Sequence, residues 1–475
     1  MKNKAVKAGI GYTLGNYLLK GIAFISVPIF ARIMSVKDYG IYNTLISYES
    51  IIAILIGCAI HSSYKNARYK FKYLSEGAEN NKDFNTYIST TILYIWINTA
   101  LWLVSLNVLL LEFPNLFSFD ILDLNLLIIY SSSSAIIMCF NSDASLNYKY
   151  KSFLKISLIN SICNISFSLI LIQFVFHTEK YIGRMIGTAL PIFLLSIVIT
   201  IYYFKKSKPK NILYFLRWGL NYSLPIIPHG ISQVILSQFD RIMINGLIGA
   251  IAAGIYSFAY NIYLIVSITV QSLDNVWNTW FYEQMTKKNM KSIKNVSNFY
   301  IFFILLFCLA ILLISPELIK LLGSNKYQDS IYCVIPIVAS GFFSFLYNLP
   351  ASVEYYFGKT KYIAVGTMLA AIVNIVLNYL FIGKFGYVAA AYTTLITYIL
   401  YFLFHYFLAK KITGKFIYSN KIIFISSMIM ILGTIIAQIL IERILLRFTL
   451  LIFVIGVAFI IEEMNFSLIK KVLRR

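Results

Sequence analysis

The chain has 475 residues, of which 59% are hydrophobic and 13% charged, at a mean hydropathy of +0.76. A soluble domain carries charge at roughly a quarter of its positions, so lipid must be the solvent for most of this surface. The net charge of +22 lies in short segments between apolar runs; that is the pattern of loops on one membrane face and argues against nucleic acid as the partner.

A helix needs ~20 apolar residues to cross the hydrocarbon core. The chain opens with Lys2, Lys4 and Lys7, like the basic head of a signal peptide. The apolar stretch that follows runs on to Met34, carries Lys20 and meets no small-residue cleavage site, so it predicts a retained first span over 8–34. Further spans are predicted at 40–60, 84–111, 124–142, 153–176, 181–204, 218–244, 247–273, 299–319, 331–352, 362–382, 388–409, 420–441 and 444–461. The fold class is therefore all-α integral membrane, with about 14 transmembrane helices.

The loops test this count. With a cytoplasmic N-terminus, thirty of the 41 Lys and Arg fall on cytoplasmic segments and ten on outer ones, Arg184 among the ten. A threefold bias supports the parity and places both termini in the cytoplasm. Every outer loop is short, so no separate domain is expected outside. The five cysteines form no CxxC, and the four histidines (His61, His177, His229, His405) are scattered without ligand spacing. No metal and no catalytic site is predicted.

Short motifs recur at a near-constant distance. Arg32-Ile-Met returns at Arg241, Gly40-Ile-Tyr at Gly254, Ala144-Ser145 at Ala351, Tyr148 at Tyr356, Asn164-Ile at Asn374, and Gly183 at Gly386, with offsets of 203 to 214. Each half carries six spans with a basic loop after its second, fourth and sixth. Six is even, so the halves enter the membrane in the same direction, as parallel transporter repeats do. Such halves place a substrate site between them and allow alternating access. The predicted organisation is an N-terminal six-helix lobe (1–204), a basic cytoplasmic linker (205–217) carrying Pro209, a C-terminal six-helix lobe (218–410), and two extra helices with a basic tail (411–475).

Three stretches carry a family resemblance. Val27-Pro28 with Ala31-Arg32-Ile-Met-Ser-Val-Lys-Asp-Tyr-Gly40-Ile-Tyr42 opens the first half. Leu224-Pro225, Asp240-Arg241-Ile-Met-Ile and Ala253-Gly254-Ile-Tyr256 open the second, and Leu377-Asn378 to Ala391 lies at the eleventh and twelfth spans. Over most of 8–410 the sequence resembles the Wzx-type O-antigen and capsule repeat-unit flippases of the multidrug/oligosaccharidyl-lipid/polysaccharide exporter superfamily. The resemblance implies two six-helix lobes in a V-shaped, MATE-like arrangement around a central cavity. It also implies a lipid-linked oligosaccharide on undecaprenyl pyrophosphate as substrate, moved across the bacterial cytoplasmic membrane. Membrane lipids, a polysaccharide polymerase and a chain-length regulator are the expected partners. Many members have twelve spans, so the two extra ones leave room for a fourteen-span relative such as a lipid II exporter.

Charges at membrane depth are expensive and are functional candidates by default. Lys20 lies midway along the first span, where a cavity-facing cation suits a pyrophosphate or acidic sugar; a structural pair with Glu49 is the competing reading. Arg32, Asp240 and Arg241 sit near outer ends, as substrate contacts or interfacial anchors. His229, between Pro228 and Gly230, marks a broken span facing a cavity or a packed histidine. Arg68, Asp143, Asp274 and Glu354 lie at cytoplasmic ends, as a gate between lobes or as solvated residues. The segment from Asp274 to Asn298, with Trp277, Trp280 and four lysines, reads as a helix end followed by an interfacial basic stretch touching anionic lipid.

No Walker A motif is present, so direct ATP use is not expected; an ion gradient or removal of product outside is the candidate driving force. No cofactor is expected. Two other functions fit the composition. A multi-span polymerase or glycosyltransferase would need a larger outer loop with paired acids. A drug or cation exporter of the same superfamily would want acidic residues in its cavity, where Lys20 is cationic and Glu49 keeps that reading open.

Overall fold

The computed structural model describes residues 2–73, 82–113 and 119–457. It is helical, with no strand among the described residues. This is the backbone solution lipid demands, because each peptide group must find its partner within its own segment. The long helices are α1 (Lys2–Ile33), α2 (Val36–Gly57), α4 (Lys82–Glu112), α5 (Ile121–Leu146), α6 (Tyr150–Phe174), α7 (Lys180–Lys206), α11 (Ala250–Thr286), α12 (Met290–Gly323), α13 (Ile331–Tyr356), α14 (Thr360–Phe385), α15 (Val388–Thr413) and α16 (Asn420–Ile439), with α3 (Tyr64–Arg68) a single short turn. Twelve helices among the described residues are long and apolar enough to cross a membrane, each on a predicted span. The chain is a multi-pass membrane protein.

The other two predicted spans are not among these twelve. The seventh is broken into α8 (Ile212–Ser223), a 3₁₀ turn (Leu224–Ile226), α9 (Ile227–Val234), a π turn (Ile235–Phe239) and α10 (Asp240–Leu247). Pro225 and Pro228 each stand in the first turn of a new segment, where a ring without an N–H leaves no helical bond unmade. The fourteenth is described over α17 (Ile444–Val457). Residues 458–461 of that span and the basic tail lie outside the described residues.

By compactness the chain divides into two units, Met1–Ser26 with Ile41–Ile242, and Val27–Gly40 with Met243–Arg475. The cut differs from the linker at 205–217. The broken seventh span packs with the first unit, and the tip of the α1–α2 hairpin packs with the second.

In the first unit small residues bring helices together, as is usual where lipid offers no hydrophobic drive to association. Gly11 and Gly15, four apart on α1, face Tyr150 and Leu154 of α6; a Cβ on either would fall within 2.2 Å of those side chains. Gly183 and Gly187 do the same for α7 against Ile172 and Ser168 of α6. The second unit is built around α13, which packs against α11, α12, α15 and α16. There α2 and α11 meet backbone to backbone: a Cβ on Gly40 would lie 1.8 Å from the Ala250 carbonyl oxygen, and one on Gly254 would lie 2.1 Å from the Val36 carbonyl oxygen. Around this crossing Asn261 donates to Tyr39 Oη (2.9 Å), and Lys326 Nζ donates to the carbonyls of Arg32 (3.1 Å) and Met34 (2.6 Å).

The polar turns repeat between the units. Tyr148 after α5 and Gly358 after α13 both take positive φ (56° and 68°). The structural register of these turns is 210, so Tyr148 corresponds to Gly358 rather than to Tyr356. A left-handed turn selects for backbone geometry rather than side-chain identity.

Candidate functional site

The close α6–α7 approach places a cation inside the first unit. Arg184, one residue past Gly183, is 8% exposed and donates from Nη1 to Asn164 Oδ1 (2.6 Å) and Ser168 Oγ (2.8 Å). Its guanidinium lies 5.1 Å from the centre of the Tyr42 ring, and Tyr42 Oη is 3.1 Å from Thr188 Oγ1. Glu49, two turns further along α2, is buried and hydrogen-bonded to Ser134 of α5. Tyr130 of α5 stands near Glu49, Tyr42 and Arg184. Four helices thus gather a guanidinium, a carboxyl, two phenols and several hydroxyls at membrane depth. Such a group can hold a charged or sugar-like head group, since each of its side chains ends in a hydrogen-bond donor or acceptor. Lys20 is half-buried on α1 in the same unit.

The other predicted residues are placed as follows. Arg32 donates to the Leu321 carbonyl (2.8 Å) in the last turn of α12, where a cation meets the negative end of a helix. Asp240 and Arg241 are both buried, 1% and 7% exposed. Arg241 Nη1 turns back along its own chain, donating to the Ser237 carbonyl (3.2 Å) and to Gln238 Oε1 in the π turn. His229 is half-buried on α9, and its Nδ1 has no hydrogen-bond partner among the described residues.

The four residues predicted at cytoplasmic ends form two groups. In the first unit Arg68 donates to the Leu146 carbonyl that ends α5. Asp143, one turn earlier, accepts from Tyr203 Oη (2.7 Å) and Asn147 Nδ2 (2.7 Å). In the second unit Asp274 is hydrogen-bonded to Asn278, and Tyr355 stands near both Asp274 and Glu354. Glu354 is fully enclosed, and its Oε1 lies 2.7 Å from Nδ1 of an equally buried His405. The solvated reading therefore fails for Asp143 and Glu354. Each is a buried acid with a specific partner on the sixth helix of its half.

Arg184 and His405 were not singled out by sequence. Arg184 lies five residues into its helix and falls in a loop tally; His405 sits alone in an apolar run. The signals available were the glycines flanking Arg184, and the Asn164–Ser168 and Asn374–Asn378 pairs on the matching fifth spans. In the second unit Asn378 Nδ2 donates to Asn374 Oδ1 (3.2 Å) and Thr393 Oγ1 donates to Asn378 Oδ1, so the same helix pair is joined by polar groups in both halves. No group of three or more His, Cys, Asp and Glu positioned for a metal occurs among the described residues.

The relatives of this chain agree with a membrane transporter fold. A solved structure described as lipid II flippase MurJ in an inward closed conformation matches with a TM-score of 0.70 over 97% of this chain and 100% of its own, at 18% identity. An inward-facing MATE family multidrug resistance transporter of the MOP superfamily matches at 0.58, over 83% of this chain and 98% of its own, at 14% identity. Protein 1 of the Lsg locus of Haemophilus influenzae is 24% identical over 391 residues, 78% of this chain and 90% of that protein. The fold of these two solved structures is thereby shown. Residues 5–277 match the model of one family, and the chain belongs to the polysaccharide biosynthesis proteins.

Proposed function

We propose that this protein is a flippase that carries oligosaccharide repeat units on undecaprenyl pyrophosphate across the bacterial cytoplasmic membrane, for O-antigen, capsule or exopolysaccharide synthesis. One observation carries the reading: a member of the polysaccharide biosynthesis family has, over nearly its whole length, the fold of a protein described as a lipid II flippase. The buried polar set around Arg184, Tyr42 and Glu49, with Lys20 in the same unit, supports it, because a hydrophilic head group crossing lipid needs a polar path. On this reading the two six-helix halves alternate access, both termini face the cytoplasm, an ion gradient supplies the drive, and a polymerase and chain-length regulator receive the product.

The test uses a deletion strain. Spheroplasts of that strain should accumulate undecaprenyl-linked repeat units that a membrane-impermeant oxidant of vicinal diols cannot reach, and the native gene should restore access. Accumulation on the outer face, with altered polymer length, would instead point to a polymerase. Sensitivity to cationic dyes with normal surface polysaccharide would point to a drug exporter.

A further inference from the structure

The buried acids of the two units are built differently. Asp143 has both carboxylate oxygens satisfied, by a phenol and an amide that do not exchange protons near neutral pH. Glu354 has one partner, the imidazole of His405, and neither side chain is exposed. Glu354 Oε2 and His405 Nε2 are buried without a hydrogen-bond partner among the described residues. The imidazole packs edge-to-face against the stacked pair Tyr347 and Tyr401, ring centres 4.9 and 4.8 Å away, and against Gly366, where a Cβ would lie 2.4 Å from Nε2. The ionisable groups facing the pair are Tyr347 and Tyr355 of α13 and Tyr401 of α15, with Asp274 of α11 beyond Tyr355.

Charge counting then restricts what the pair can do. A carboxylate beside a neutral imidazole carries one net negative charge, which is unfavourable at zero exposure with no cation among the groups facing it. Adding one proton, to either residue, makes the pair neutral; adding a second makes it a cation at the same kind of cost. The closed site therefore retains one proton. The two unsatisfied atoms oppose the closed state, since each regains a hydrogen bond when water enters. Closure favours the loaded pair and hydration favours release, so proton occupancy and the conformation of the second unit are linked.

We propose that Glu354 and His405 form a proton-binding site through which a proton gradient drives this transporter. Loading takes a proton from hydronium onto Glu354 Oε2 or His405 Nε2, forming the O–H or N–H bond and leaving water; release returns it to water. The proposal rests on the flippase reading only for what is driven.

Two measurements test it separately. Infrared titration of the purified protein in nanodiscs, without substrate, should show a protonated-carboxyl band that disappears with rising pH. That band should be absent in Glu354→Gln and displaced in Glu354→Asp and His405→Gln, among whichever variants keep the native elution volume in detergent. In proteoliposomes holding undecaprenyl-linked oligosaccharide, an imposed pH gradient should accelerate flipping several-fold, and the ratio of rates with and without the gradient should fall to one in Glu354→Gln. An unchanged band in a folded Glu354→Gln, or a native rate ratio there, overturns the proposal. If the native protein moves no lipid in any arm, the flippase reading fails while the infrared titration still decides the proton site.

Discussion

Gly40 and Gly254 head the matched Gly-Ile-Tyr motifs of the two halves, and they sit at the same crossing. Consider Gly40→Ala. The new methyl carbon falls 1.8 Å from the Ala250 carbonyl oxygen and 2.7 Å from the Gly254 nitrogen, both backbone atoms that no rotamer change can move. An ordinary contact needs ~3.5 Å, so α2 and α11 must separate locally by about 1.5 Å. That separation stretches the Tyr39–Asn261 hydrogen bond and the Lys326 contacts to Arg32 and Met34 on the same tip. Overpacking of this kind costs about 1–3 kcal/mol, and Gly254→Ala costs a similar amount by the same route.

The double variant is the sharper test. Once the helices have moved apart for one methyl, the second enters a gap already made. Gly40→Ala/Gly254→Ala should therefore destabilise by less than the sum of the single variants, with an interaction of about 1 kcal/mol. Thermal unfolding in detergent, read by loss of the monodisperse peak on size exclusion, measures all four corners of the cycle. Strict additivity, or single variants within ~0.5 kcal/mol of the native protein, would refute a shared backbone contact.

Other substitutions probe the sites. Lys20→Ala should abolish surface polysaccharide while the protein remains inserted at native levels, and Lys20→Arg should retain part of it; normal polysaccharide in Lys20→Ala counts against a substrate role. Arg184→Met leaves Asn164 and Ser168 without their donor and should destabilise by about 1–2 kcal/mol in a detergent melt, since a membrane hydrogen bond is worth ~0.6 kcal/mol on average and up to ~1.7. Arg447→Leu breaks a bidentate pair with Glu317 (2.7 Å at both oxygens) and a bond to the Leu313 carbonyl (2.7 Å), the contacts that hold α17 on α12. Because Glu317 is 35% exposed, the loss should be about 1–2 kcal/mol rather than the 3–5 of a fully buried pair, and Glu317→Leu/Arg447→Leu should recover most of it.

The fold was legible because lipid imposes one rule that composition reveals. Every long apolar run became a helix, down to the pair of prolines that break the seventh. Two features escaped for physical reasons. The compact units exchange the α1–α2 tip and the seventh span, and packing between distant segments leaves no mark on hydropathy. Arg184 escaped because a guanidinium near a helix start looks like a loop residue until its acceptors are found on the neighbouring helix. Lys20 and Glu49 were visible because each interrupts an apolar run far from its ends. His405 interrupts one too, but a neutral imidazole raises no alarm by itself; its partner Glu354 is fifty-one residues away and reaches it only through the α13–α15 contact.

That difference separates charges that need a partner from those that acquire meaning with one. A cation at membrane depth such as Lys20 declares its cost in the sequence, because it interrupts an apolar run far from either end. The Glu354–His405 pair hides its cost, since each half offsets the other and the residual charge depends on one proton. The buried acid of the first unit, Asp143 with Tyr203 and Asn147, is held by groups that do not titrate near neutral pH. The Glu354–His405 pair instead has one titratable partner and two buried atoms without a hydrogen-bond partner among the described residues, which costs stability until water or a proton reaches them.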